Sequence, residues 1–212
     1  MKTYVPPRKL LAALSEVLTS KTRPLSRGRT TLRNTVVAES PLQQGARLLQ
    51  TGRNYLAVTI YLNFGERTYR VASSGPEFSC ESMGLGEALV GKTAQSGAPR
   101  IVSDVSKERD YRMVHQDTRS ELVMPIKLAT RVFGVVDVES GELNSFGGED
   151  RVLIKEAAGK IALFLSSTGK YLLTRLRESA KSAPRVREVP AKHPQAEPAP
   201  TMRAAAGESS RS

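Results

Sequence analysis

The sequence of 212 residues predicts an α+β fold, an antiparallel sheet with helices gathered around it. Three observations predict it. Strand-like runs come in pairs joined by short turns, which antiparallel neighbours permit and parallel ones do not. Helix-like runs stand before, between and after these pairs instead of following each single strand, which points away from a doubly wound parallel sheet. No self-similarity appears at the periods of solenoid repeats.

Each element has its own signal. In MKTYVPPRKLLAALSEVLTS, Leu10, Leu11, Leu14 and Leu18 form the stripe of an amphipathic helix. Residues 21–33 mix Pro, Ser, Gly and Arg without apolar periodicity and read as a linker. Leu42 to Leu49 has helical spacing, with Ser40 as cap and Pro41 at the first helical position. YLAVTIYLNF (55–64) is rich in β-branched and aromatic residues, and GERTYRVAS is its hairpin partner. GEALVGKTAQSG (86–97) carries Ala88, Leu89, Thr93 and Ala94 at helical spacing and closes on Gly97 as C-cap. PRIVSDV reads as a short strand, and KERDYRMVHQDTR as a polar loop with one helical turn. A hairpin follows at 120–140. From Gly148 a long helix is expected, with Val152, Ile154, Ala157, Ala158, Ile161, Phe164, Leu165, Leu172 and Leu176 on its apolar stripe. The stretch from about 180 to 212 is rich in Pro, Ala and charge, without aromatic residues, and is expected to be disordered. The expected organisation is therefore 1–33, an amphipathic helix and basic linker; 34–179, one domain; and 180–212, a tail.

Composition excludes several functions. A single cysteine, Cys80, rules out an internal disulfide and a cysteine metal cage. With only His115 and His193 besides, no metal site and no cofactor is expected, and His115 reads as a surface residue. No apolar run reaches the ~20 residues of a membrane span, and the N-terminal LLAAL run is too short and too charged at its flanks for a signal peptide. A cytoplasmic protein is expected. The net charge of +11 divides into +7 over residues 1–33, zero over 34–170 and +4 over 171–212. The positive charge thus lies on the ends and not on a folded face, which weighs against a nucleic-acid-binding fold.

The hairpin SELVMPIKLATRVFGVVDVES (120–140) raises the chemical question, because Glu121, Asp137 and Glu139 interrupt otherwise apolar strands. Of two registers, one mixes charge and apolar side chains on both faces. The other, with a three-residue loop at 129–131, pairs Glu121 with Glu139, Val123 with Asp137 and Pro125 with Val135. It leaves one face wholly apolar and gathers the acids at one end of the other, so it is the expected register. Like charges opposite each other on a sheet are destabilising unless water, a cation or a proton relieves them. Val123, Pro125, Phe133 and Val135 share the acidic face, which suggests a half-buried cavity; a rim of solvated acids is the plainer alternative.

Four collinear pieces, GLGEALVGKTAQSGAPRIVSDVS, DTRSELVMPI, RVFGVVDVES and NSFGGEDRVLIKEAAGKIALFL, resemble a GAF domain over roughly residues 40–166. The resemblance implies an antiparallel sheet with helices on one face, a loop-enclosed pocket on the other and a long C-terminal helix. The run from Gly75 to Ser140 is similar to the branch of free methionine-(R)-sulfoxide reductases, whose cysteines are spaced C-x9-C-x23-C. Counted from Cys80, the matching positions are Val90 and Val114, and the last corresponds to the attacking cysteine. Valine cannot form a sulfenic acid or a disulfide. Glu121, Asp137 and Glu139 match carboxylates that contact substrate in that branch.

The expected function is a non-catalytic GAF-type sensor or binding domain in signalling or regulation. Its ligand is a small polar molecule, such as one bearing an ammonium group. Glu121, Asp137 and Glu139 would take the cationic part and Val123, Phe133 and Val135 would form the wall, with Ser120 and Asp104 as lesser candidates. Two alternatives stand beside it: residual sulfoxide reduction through Cys80, and an interaction protein whose basic arms touch nucleic acid or acidic partners. A cyclic-nucleotide pattern fits only loosely, since Asn144, Phe146 and Asp150 agree but Ser145 and Arg151 depart from it. Phe146 and Asp150 are expected instead to plug the core and open the last helix. A homodimer through the terminal helices and a signalling partner protein are expected, without a membrane.

Overall fold

The computed structural model describes residues 4–19, 39–77, 80–109 and 111–182, with side chains up to residue 167. The basic linker 20–38 and the tail from 183 lie outside the described residues. The elements run α1 (Pro7–Thr19), α2 (Pro41–Arg53), β1 (Ala57–Phe64), β2 (Arg67–Ser74), β3 (Ser82–Gly84), α3 (Ala88–Ser96), β4 (Arg100–Val102), β5 (Ser120–Leu128), β6 (Arg131–Ser140) and α4 (Gly148–Ser182). A single 3-10 turn, Val105–Lys107, follows β4. The six strands form one antiparallel sheet in the order β3-β2-β1-β6-β5-β4. The α+β class is as the sequence predicts; β3, only three residues long, is the strand it does not announce.

Local chemistry sets the helix ends. Ser40 accepts from the Gln43 amide ahead of Pro41, and Asn54 in the left-handed region closes α2 by donating its N–H to Gln50 O. Gly97 closes α3 in the same way onto Thr93 O. Helix α1 lays Leu10, Leu11, Leu14 and Leu18 on α2, where Gly45 and Gly52 leave room for them. A Cβ on Gly52 would stand 2.4 Å from Leu10 Cδ2. These leucines belong to the same core as the sheet, so a boundary at residue 33 separates α1 from a core to which it contributes.

One sheet face, with Val58, Ile60, Leu62, Leu122, Met124, Ile126, Val136 and Val138, packs on α1, α2 and α4. Along α4 the buried stripe is Leu153, Ile154, Ala157, Ala158, Ile161, Ala162 and Leu165. Val152 is 55% exposed, because spacings of three and four counted back from Ala157 reach 153 and 154 and pass 152 by. The helix continues three residues past the expected boundary at 179, to Ser182; the side chains of Tyr171, Leu172, Leu173 and Leu176, expected to meet a second protomer, lie outside those described. Phe146 fills the core beside Tyr55, at 5.9 Å between ring centres. Asp150 opens α4 and also accepts from Arg53 (2.6 Å) and the Tyr55 hydroxyl (2.7 Å). That buried bridge ties the end of α2 to the start of α4.

The β5–β6 register has Glu121 opposite Glu139, Val123 opposite Asp137 and Pro125 opposite Val135, as the alternation predicts. The turn is shorter than expected, two residues instead of three. Leu128 pairs with Arg131 across Ala129 and Thr130, and Ala129 adopts a positive φ of 50°. The missing loop residue reappears as a bulge: Ile126 pairs with Gly134 and Lys127 with Val132, leaving Phe133 over. The bulge turns Phe133 onto the helix-packed face, into the cluster with Met124 and Ile126. It therefore does not line the acidic face.

Gly134 fixes the contact between β1 and β6. A Cβ there would stand 2.0 Å from Tyr61 O and 2.8 Å from Leu62 Cα, backbone atoms that cannot swing aside. Gly134→Ala is predicted to lower stability by about 2–4 kcal/mol in urea unfolding. Gly148→Ala, where nothing lies within 4 Å, should stay within about 0.5 kcal/mol of wild type. Equal midpoints for the two variants would contradict this account of the strand contact.

Candidate functional site

The sheet face opposite the helix-packed core carries Thr59 and Tyr61 from β1, Glu121 and Val123 from β5, and Val135, Asp137 and Glu139 from β6. Register brings them together, since Thr59 pairs with Asp137 and Tyr61 with Val135 across β1–β6. Helix α3 covers this face from one side. The segment after the 3-10 turn covers it from another, through Tyr111, Val114, His115 and Thr118. Tyr61, Met83, Leu89, Val90, Ala94, Val123 and Val135 form a compact apolar lining there. The acids are not a solvated rim: Glu121, Asp137 and Glu139 are 5%, 3% and 2% exposed.

Three buried carboxyls at one sheet end repel one another and are poorly solvated, and both effects favour their protonated forms. Burial, then the Glu139 charge, pushes Glu121 up to about 8. Burial pushes Glu139 up to about 7, against the hydrogen bond it accepts from the Thr118 hydroxyl. Asp137 is held well above the carboxylate range by burial and by Glu121 and Glu139. His115 is buried and stands with Nε2 3.7 Å from Glu139 Oε1, although the sequence places it at the surface; burial lowers its basicity and keeps the ring neutral. Among the described residues no Lys or Arg comes within ion-pair distance of the three acids. The Tyr61 hydroxyl and Asp137 Oδ1 are buried without a hydrogen-bond partner among the described residues. A site built this way can accept hydrogen bonds from a cationic or donor-rich group and pack its apolar part on Val123, Val135 and Met83.

Not every expected residue joins the site. Ser120 lies on the opposite face, where its hydroxyl donates to Glu142 O at 2.7 Å and accepts from the Ser145 amide. Asp104 caps the 3-10 turn, accepting from the Ser106 amide (3.1 Å) and hydroxyl (2.6 Å) and pairing with Lys107 (2.9 Å); these contacts lower its pKa to about 2. Phe133 is displaced by the bulge. Cys80, Val90 and Val114, by contrast, all belong to the one apolar cluster under the acidic face. The Cys80 thiol donates to Ser82 O at 3.7 Å, and burial raises its pKa, so it stays protonated. Tyr61, Tyr111, His115 and Thr118 are the site residues that sequence reading passes over. Tyr61 could have been found from the alternation Thr59-Tyr61-Asn63 once β1 is placed beside β6. Outside the site, Arg112 on the covering segment pairs with Glu87, the N-cap residue of α3, at 2.5 Å.

These shifts have a signature in stability. A carboxyl with a raised folded pKa contributes stability that is full below its unfolded value near 4 and is lost as pH rises through about 7 to 8. Glu121→Gln removes one such group. Its melting temperature is predicted to exceed that of wild type increasingly from about pH 5 to pH 8, reaching at least about 3 °C. Parallel curves for the two proteins would refute the buried-acid account.

Comparison with known proteins fits this geometry. A family model described as the GAF domain matches residues 35–166. The GAF domain-containing protein A of Dictyostelium discoideum is 30% identical over 93 residues, which span 44% of this chain and 59% of that protein. Among solved structures, free methionine-R-sulfoxide reductase from Neisseria meningitidis, in complex with its substrate, superposes with a TM-score of 0.65. It is 21% identical, over 81% of this chain and 99% of the other. The GAF domain of an Acinetobacter phosphoenolpyruvate-protein phosphotransferase gives a TM-score of 0.62 at 18% identity, over 77% and 94%. A whole reductase and a GAF domain of a larger enzyme thus share the fold, and at such identities the likeness speaks for the fold alone. With the family model spanning most of the chain, this protein belongs to the GAF family, whose domains are typically small-molecule sensor or binding modules.

Proposed function

We propose that the domain is a sensor that binds a small polar ligand through a cationic group, without transforming it. Glu121, Asp137 and Glu139 receive the cation; Val123, Val135 and Tyr61 pack on its apolar part. The observation that carries the reading is the burial of three carboxyls on one sheet face with no described Lys or Arg beside them. Such a cluster is costly in an empty domain and favourable around a cation, the pattern of a site kept for binding and not for stability. The reductase likeness supports an amino-acid-like ligand, since that relative, of the same fold, is solved in complex with its substrate.

The absence of chemistry rests on Val90 and Val114. In the resembling branch both positions hold thiols, whereas here the one thiol of the chain, Cys80, has no second sulfur to resolve it. A thiolate is the nucleophile in such reactions, and burial disfavours it at Cys80.

A thermal-shift panel of free amino acids, their oxidised forms and nucleotides tests the binding reading. A compound held by the acids is expected to raise the melting temperature of wild type by several degrees at concentrations well above its Kd, and to have no effect on Asp137→Asn. A shift retained in that variant would place the ligand elsewhere. Turnover of free methionine-(R)-sulfoxide in a thioredoxin-coupled assay, abolished by Cys80→Ser, would replace the sensor with an enzyme. The prediction is no turnover above background.

A further inference from the structure

The site described above holds more acid than a monocation needs, and this excess points to how binding is regulated. A single ammonium group neutralises one charge. The face offers three carboxyls, all at least nine-tenths buried, and among the described residues the ionisable base beside them is the buried His115, whose basicity burial lowers. Charge balance without a ligand therefore has to come from protons. Glu121 lies directly opposite Glu139 and diagonally from Asp137 on one buried face, where close like charges favour holding a proton on the cluster. The Tyr61 hydroxyl adds an independent mark of a built polar site: it is fully buried, has no partner among the described residues, and stands on the strand next to Asp137.

We propose that ligand binding in this domain is an exchange of protons for a cation. Entry of an ammonium group releases about one proton from the Glu121–Asp137–Glu139 cluster to solvent, so the site responds to ligand and pH together. The balance is simple. One carboxyl O–H bond of the cluster breaks, its proton passes to buffer, and the new carboxylate pairs with the ammonium, which keeps its own protons and charge. No group is oxidised or reduced. The other groups facing the cluster do not supply the same exchange. Tyr61 and Tyr111 are raised far from neutrality, Cys80 is raised by burial, and Arg70 is engaged with Glu81. Glu108, whose charge reaches Glu121, lies on the covering segment. Among the described groups facing the cluster, His115 is able to gain positive charge on acidification, and it would weaken cation binding in the same direction, so it needs its own control.

The inference rests on the cation-binding reading, and the experiment separates the two. Ligand-free protein at neutral pH is examined by infrared spectroscopy for the carbonyl band of a protonated carboxylic acid. The band is expected in wild type and reduced in Asp137→Asn and Glu121→Gln; its absence in wild type overturns the proposal whatever the ligand. Calorimetric titration then uses n-butylammonium and L-methionine-(R)-sulfoxide as probes, in buffers of different ionisation enthalpy. The expected result is an observed enthalpy that changes with buffer by about one proton, and a Kd falling at least about tenfold from pH 6 to pH 8. His115→Gln should keep that dependence. Binding with the same enthalpy in every buffer and a pH-independent Kd would overturn proton exchange while leaving the ligand reading intact. The acid band without binding of either probe would overturn the cation reading, and the exchange with it.

Discussion

Two strands paired in one register hold Glu121 opposite Glu139 with Asp137 beside them, and much of the architecture follows from keeping those groups out of water. An alternating strand has two faces, and here the two make opposite demands. Val136 and Val138 need an apolar partner layer, which α1, α2 and α4 provide. Asp137 and Glu139, one residue away each, need polar surroundings, and Glu139 accepts from the Thr118 hydroxyl and stands beside His115. A slip of one residue would send the acids into the helix-packed core and the valines into the pocket, so the register cannot drift.

The supporting elements divide in the same way. On the helical side the bonds are redundant and local: leucines on glycine notches, caps at both ends of α2, and the Arg53–Asp150–Tyr55 bridge that joins α2 to α4. On the acidic side the cover is thinner, a short helix and a segment holding only one 3-10 turn. The helical half holds the larger core, and the more lightly covered half is the one the proposed ligand would enter. This is how stability and function usually part company in a binding fold, with the least stable contacts where molecules enter.

The sheet, the capped helices and the hairpin register were legible because each rests on a local rule: alternation, a capping serine before proline, a glycine after the last turn. The acid cluster was legible for the same reason, since register converts sequence spacing into a cross-strand pair. What failed depended on one residue more or less. Phe133 left the acidic face because a bulge absorbed the residue expected in the turn, and no local signal separates those two placements. Ser120 has the same parity as Leu122, so its own strand already set it on the other face. Asp104 precedes Ser106 in a spacing that suits a cap better than a pocket. His115, Tyr111 and Thr118 reach the site from a segment with no periodicity, and only the closed fold shows where such a segment lands.

The Arg112–Glu87 pair sits on the outer edge of the pocket and joins the covering segment to the start of α3. Both side chains are largely solvated, so the pair adds little to the equilibrium stability of the domain. Its place on the rim gives it a different role, in time instead of in affinity. On the binding reading proposed above, a ligand passing between these two covers would break a contact that touches none of the acids. On that same reading, ionic strength or substitution at this one surface pair would set how long a ligand stays, while the acids that would choose it are left unchanged.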